Sequence, residues 1–289
     1  MPLSTSIVGD RISPLTHSVD ARWLMAYAAG LGDGNPRYMD TSAHTVIAHP
    51  VFPVCVEWPV ILNIREIAGT RALTAAEAQR GVHAAHDLHI YKPIKAGDQL
   101  STDATMIDVR SIRPGAAYVM RLDTTDAAGE LVTRTYQTGI YRGVEVETAD
   151  AMTGAAEVPP PLPERIDPLG HYTTDLSVGA AAAHIYTECA RIFNPIHTDR
   201  AIALSAGLPD IILHGTATLA MAVSAIVDEF ADGDPTLVRR LGGRFAAMVL
   251  MPSTIRLHAV REGDTVSYEV RTQEDQTAIS QGFVCLGLP

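Results

Sequence analysis

The sequence predicts an α+β fold made of one unit written twice, each unit a long helix followed by about four antiparallel strands. Three observations carry this. A tyrosine-led segment recurs 159 positions downstream. Each copy is followed by an apolar helix and then by short alternating runs. A proline-dense stretch separates the copies.

An internal repeat of this length marks one structural unit used twice. Tyr27 opens YAAGLGDGNPRYMD and Tyr186 opens YTECARIFNPIHTD. Superposed, Tyr27 falls on Tyr186, Asn35-Pro36 on Asn194-Pro195, and Asp40 on Asp199. A histidine follows each segment, in His49-Pro50 and in His214-Gly215, and an apolar stretch follows each histidine. From His214 to Phe230 this stretch is rich in Ala, Leu and Met and apolar nearly all round, which predicts a buried helix. Its counterpart, Phe52 to Ala68, contains Pro53 and Pro59, so its helix is expected from near Trp58.

The alternating, β-rich runs of the first half are Val82–Tyr91, Gln99–Val109, Ala117–Thr124 and Leu131–Tyr141. Those of the second are Arg244–Val249, Thr254–Val260, Thr265–Thr272 and Ile279–Leu286. Gly97-Asp98 leads into the second run of its half and Gly263-Asp264 into the third, so these are similar turns rather than repeat partners. Between the halves, Pro159, Pro160, Pro161, Pro163 and Pro168 predict an extended, semi-rigid connector. The expected division is 1–150, a linker over 151–169, and 170–289, with the boundary near residue 155.

Composition narrows the function. Against 22 Lys and Arg stand 33 Asp and Glu, a formal net charge of −11. Such a chain is poorly suited to nucleic acid, which is held mainly through basic phosphate contacts, or to an anionic membrane surface. Apolar residues at 47% and charged residues at 19% fit a globular protein rather than disorder. The best apolar run, Leu219 to Val227, is nine residues long, and a membrane span needs about 18. MPLSTSIVGDRISPL lacks a basic start followed by an apolar stretch, so no secretory signal is expected. Cys55, Cys189 and Cys285 are odd in number and widely spaced, which suits reduced thiols in a cytoplasmic protein.

Several motifs fail on their own chemistry. In Asp33-Gly34-Asn35, Arg37 sits where a calcium loop needs an oxygen ligand. Gly30-Leu31-Gly32 lacks both the preceding strand and the third glycine of a dinucleotide loop. On a regular strand His86 would point away from His83 and His89, which would be about 20 Å apart at about 3.3 Å per residue, so no metal site is expected. There is no Gly-x-Ser-x-Gly elbow, P-loop or His-Glu-x-x-His.

What remains is Asn194-Pro195-Ile196-His197 followed by Ala203 and by Ile211-Ile212-Leu213-His214-Gly215. With Tyr186 ahead of it, this stretch resembles the MaoC-like, (R)-specific enoyl-CoA hydratase (hydratase 2) family. With the internal repeat, the resemblance covers roughly residues 15 to 288. It implies a double hot-dog fold, in which each half wraps an antiparallel sheet around its long helix. It also implies a hydratase or dehydratase acting on a 2-enoyl-CoA or 3-hydroxyacyl-CoA thioester. Coenzyme A is then part of the substrate and no separate cofactor is expected. A homodimer is an open possibility.

The chemistry explains the residue types. Hydration needs a base to activate water and an acid to deliver a proton to the α-carbon. The developing enolate needs N–H donors, which a buried helix N-terminus supplies, and Gly215 allows close approach there. The family's catalytic Asp should lie five residues before the His; that position is Ile192. The first half inverts the pattern: Gly32-Asp33-Gly34-Asn35-Pro36 keeps the Asp, but Tyr38 stands where the His should be. Three readings follow. His197 works in the second half beside Asn194, with Glu188 or Asp199 replacing the missing Asp. Alternatively Asp33 is a base with Tyr38 as proton donor beside Asn35. In the third, the chain binds acyl-CoA without turnover or is a thioesterase. His214, Gly215 and Arg244 are the expected substrate-binding residues, with Arg239 and Arg240 as further candidates for the CoA phosphates.

Overall fold

The computed structural model describes residues 2–147, 151–152 and 158–287. Among the described residues eleven strands form one sheet: β1 (Arg11–Ser18), β2 (Gly81–Ile90), β3 (Gln99–Ile112), β4 (Gly115–Thr125), β5 (Leu131–Arg142), β6 (Ala151–Met152), β7 (Tyr172–Val178), β8 (Val238–Phe245), β9 (Ser253–Glu262), β10 (Thr265–Arg271) and β11 (Thr277–Leu286). Ten of them run in the order β1-β3-β4-β5-β2-β8-β11-β10-β9-β7, and β6 also pairs with β3. Every neighbouring pair is antiparallel. Read inward from either edge, the first half runs β1, β3, β4, β5, β2 and the second β7, β9, β10, β11, β8. The two halves thus have one topology and meet where β2 pairs with β8, in a register that sets Leu88 against Leu241. Gly263 joins β9 to β10 while Gly97 precedes β3, as the reading of two unrelated turns requires.

The helices are α1 (Ala21–Leu31), α2 (Pro36–Met39), α3 (Pro53–Leu62), α4 (Ala68–Arg71), α5 (Ala75–Ala78), α6 (Ala182–Ala190), α7 (Arg200–Ser205) and α8 (Gly215–Phe230). The two long buried helices are α3 and α8, one for each half-sheet, and the result is a double hot-dog. Along α8, Leu219, Ala220, Ala222, Val223 and Ile226 are fully buried.

The repeated tyrosines meet. Helices α1 and α6 pack together, Tyr27 and Tyr186 lie 5.7 Å apart between ring centroids, and their hydroxyls are 3.4 Å apart. Gly30 belongs to the same contact, because a Cβ there would lie 2.9 Å from Cys189 Cβ.

Four expectations are corrected. Each half has a further strand, β1 or β7, ahead of its long helix. Both are edge strands, and β1 carries Pro14 and a bulge between Ile12 and Leu15, features that weaken a strand signal. The first long helix starts at Pro53 rather than near Trp58, because proline is well tolerated in the first turn. It carries Pro59 internally and ends in a 3₁₀ turn over Asn63–Glu66. Strand β8 is Val238–Phe245 rather than Arg244–Val249. Its Gly242-Gly243 pair resembles a loop signal, but a Cβ at Gly242 would collide with the His86 carbonyl across the β2–β8 ladder. Finally, a register shift between His83 and Ala85 turns His83 and His86 toward each other, with ring centroids 5.4 Å apart.

The expected boundary near residue 155 lies outside the described residues. The described part of the connector runs without regular structure from 158 to 168. Arg240 holds it, donating to the Pro160 and Pro161 carbonyls while also binding Asp87 bidentately at 2.8 Å. The three cysteines are unpaired. Among the described residues no helix is long and apolar enough to cross a membrane, and no cluster could hold a metal ion.

Gly242→Ala should cost about 1–3 kcal/mol by overpacking the junction, read as a lowered melting temperature. Gly179→Ala, where an added Cβ meets nothing within 4 Å, should leave that temperature nearly unchanged.

Candidate active site

The second-half motif is shaped by three local devices. Helix α6 stops at Arg191, whose left-handed φ of 58° turns the chain sharply. Asn194 then caps the 3₁₀ turn Pro195–His197, its Oδ1 accepting from the Ile196 N–H at 3.4 Å. Asp199 caps α7 through the N–H groups of Ala201 and Ile202. The returning chain is fixed by the Leu213 N–H donating to the Val249 carbonyl at 2.9 Å, and α8 begins at Gly215.

These devices bring His197 and His214 face to face, stacked with centroids 3.7 Å apart at 24°. His197 Nδ1 lies 2.8 Å from the Ile212 carbonyl oxygen. A carbonyl only accepts, so Nδ1 carries the proton and Nε2 is a free base. His214 Nε2 lies 3.2 Å from Thr187 Oγ1. Burial lowers His197 to about 4, and burial together with the adjacent His197 lowers His214 to about 2. Both rings are therefore neutral near pH 7.

Asn194, His197, His214 and Gly215 line one cavity of about 460 Å³. Gly215 and Thr216, whose N–H groups are among those a helix start leaves without an intrahelical partner, also line the cavity. Ile192, at the position expected for an Asp, lines the cavity as a buried apolar residue. Neither suggested replacement is placed to help: Glu188 is exposed on α6, and Asp199 is occupied as a cap. Arg244 lines a different cavity, of about 450 Å³, with Asp87, Pro159 and Leu162. It neighbours Phe245, which lines the His197 cavity, and successive strand residues face opposite ways. Arg240 is engaged by Asp87 and the connector, and Arg239 lines a small cleft beside His49 and Pro50.

The first-half residues are brought together, but elsewhere. Asp33 Oδ1 accepts from the Asn35 N–H at 3.0 Å, and Asn35 Nδ2 donates to the Gly233 carbonyl at 2.8 Å. Tyr38 has no exposed surface, and burial followed by Asp33, Asp228 and Asp234 pushes its hydroxyl well above 10. His49, the counterpart of His214, accepts the Val51 N–H on Nδ1 and so donates from Nε2 to Ser224 Oγ at 3.1 Å. This cluster sits at the C-terminal end of α8. His197 sits at its N-terminal end, and a 16-residue helix spans roughly 24 Å. Asp33 and His197 do not form a pair.

The cavity also has a wall that sequence reasoning missed. Glu57, His83, His86 and Gln137 line it from the first half. A signal for Glu57 was present, since it is the lone charge in the apolar helix PVCVEWPVIL.

A molecule with two long buried helices, one under each half of a single antiparallel sheet, belongs to the double hot-dog class. More particularly, residues 171–281 match the model of the MaoC like domain and residues 6–135 that of the FAS1-like, dehydratase domain region. The second half is thus similar to the MaoC like domain and the first to the FAS1-like dehydratase region, within one double hot-dog fold. It is 26% identical over 281 residues to a peroxisomal multifunctional enzyme type 2 of Drosophila melanogaster, covering 92% of this chain and 45% of that protein. The chain thus spans less than half the length of that relative. It is also 26% identical over 281 residues to an enoyl-CoA hydratase of Mycobacterium tuberculosis, covering 91% of each. A crystal structure of a MaoC-like dehydratase from Phytophthora capsici superposes with a TM-score of 0.81 at 19% identity, covering 99% of this chain and 98% of that one.

The depressed histidines predict acid sensitivity. As pH falls below about 6.5, the unfolded chain takes up protons that folded His197 refuses until about 4 and His214 until about 2. The stability these groups contribute is complete above about 6.5 and is lost as pH falls through the folded values. Denaturant titrations from pH 7 to 4 should show falling stability, with a shallower slope in His197→Gln.

Proposed function

We propose that the chain is a hydro-lyase acting on acyl-CoA thioesters, adding water to a 2-enoyl-CoA or removing it from a 3-hydroxyacyl-CoA. The observation that carries this is the free Nε2 of His197 beside the N-terminus of α8 in one largely apolar cavity. The similarity to an enoyl-CoA hydratase along nearly the whole chain supports it.

In this reading the thioester carbonyl points at the first N–H groups of α8, which hold the oxygen as negative charge develops there. His197 Nε2 takes a proton from water while the water oxygen bonds to the β-carbon. The resulting imidazolium returns that proton to the α-carbon, so atoms and charge balance without an electron acceptor. The Ile212 carbonyl keeps the tautomer correct. With Ile192 in place of a carboxylate, His197 acts as both base and acid, and Asn194 shapes the turn that presents it. Tyr38 is a poor proton donor by contrast, since burial holds its proton more tightly than an ordinary phenol does.

The assay is loss of the enoyl-thioester absorbance band together with free-thiol detection. Band loss without thiol is the expected result. Thiol release would identify a thioesterase, and CoA-ester binding without either would identify a binding protein. Removing a general acid–base of this kind costs about 10² to 10⁴ in rate, so His197→Ala should be nearly inactive while remaining folded. Asp33→Ala should lose far less. The reverse pattern would move the working site to the first half.

A further inference from the structure

Beyond Phe245 the cavity enters the first half, and its wall becomes polar. Glu57 is 1% exposed; its Oε1 accepts from Thr135 Oγ1 at 2.5 Å, and its buried Oε2 has no hydrogen-bond partner among the described residues. His86 is 2% exposed, with neither ring nitrogen partnered among the described residues. Gln137 is 5% exposed, with Oε1 unpartnered. The three belong together: Gln137 faces His86 in the β2–β5 register. Thr135, which holds Glu57, lies two residues along β5 from Gln137 and so on the same face. All three line the cavity that contains His197.

Contacts trace a path to them from the reacting end. A Cβ at Gly215 would touch the Phe245 ring at 3.0 Å. Phe245 meets the His83 ring at 4.8 Å, and His83 meets His86 at 5.4 Å.

Buried polar atoms without partners are costly and uncommon, and a plain hydrocarbon chain would leave every one of these unsatisfied. We propose that the cluster binds an oxygen substituent of the acyl chain. The substrate is then a 2-enoyl thioester bearing a hydroxyl or keto oxygen beyond the reacting carbons. This rests on the hydro-lyase reading and names its substrate class. The charge state fits a neutral oxygen better than a carboxylate. Burial raises Glu57 to about 7 and lowers His86 to about 4, so the pocket offers donors and acceptors without net positive charge.

The test compares kcat/KM for chain-matched 2-enoyl-CoAs that are plain, hydroxylated at successive carbons, or keto-substituted. The expected result is a preference of at least about tenfold at one position. In Glu57→Leu and Gln137→Leu, checked for folding by circular dichroism, that ratio should fall to about one. Calorimetry with unreactive saturated acyl-CoAs, hydroxylated and plain, should show the same preference in binding. Turnover with a ratio near one at every position, a preference for the plain or carboxylated chain, or a ratio that survives in both variants would overturn the proposal and leave the hydro-lyase reading standing. Tighter binding of the hydroxylated analogue without turnover of any ester would keep the cluster's role and overturn that reading. No binding of either analogue and no turnover would overturn both.

Discussion

One ladder holds the molecule together as a single body: the antiparallel pairing of β2 with β8. Each half-sheet can cover only its own helix, and each would otherwise end in an open edge at β2 or β8. Joining those edges satisfies both rows of backbone groups at once. The junction is tight, with Gly242 against the His86 carbonyl. Closure there places α3 and α8 against one continuous sheet. It also lets a cavity lined by α8 residues extend to residues of α3, β2 and β5. The shared cavity is a consequence of the shared edge.

The same pseudo-symmetry makes the divergence of the halves legible. Tyr27 and Tyr186 meet near the axis, and His49 and His214 occupy equivalent places after them. Yet His214 opens to a cavity while His49 is tied off on both nitrogens by Val51 and Ser224. Asn194 caps its own turn, whereas Asn35 also reaches across to Gly233 and locks that turn against the other half. Pro50, where the second half has Gly215, removes a backbone N–H that an oxyanion would need. The first-half motif has become a structural joint at the C-terminal end of α8, and Asp33, with its Oδ1 on the Asn35 N–H, is part of that joint.

What the sequence revealed depended on how local each signal was. The repeat, the apolar α8 and the turn chemistry of Asn194-Pro195 are local, and they sufficed for the double hot-dog and for the His197–His214 constellation. Edge strands β1 and β7 carry weak patterns because half their surface is exposed and β1 tolerates a proline. The Gly242-Gly243 pair has the composition of a loop, and only the neighbouring strand shows why glycine is needed. Arg244 was read from position along the chain, but strand alternation decides which side of the sheet it serves. The polar wall was least accessible of all. Glu57 and Gln137 are 80 residues apart in sequence, and a bulge that no pattern shows brings His83 against His86.

The two histidine pairs also illustrate how burial assigns work. His197 and His214 are held neutral by desolvation, and a backbone carbonyl fixes the tautomer of His197. A neutral imidazole with one committed nitrogen can accept a proton and return it, which is what addition across a double bond demands when no carboxylate shares the task. Burial likewise keeps His83 and His86 neutral, yet neither His86 nitrogen has a partner among the described residues. Desolvation alone therefore does not distinguish a proton carrier from a binding group; the partner of the second nitrogen does. At His197 that partner orients the ring toward the start of α8, where charge can develop. At His86 its absence leaves a donor and an acceptor for whatever fills the far end of the cavity.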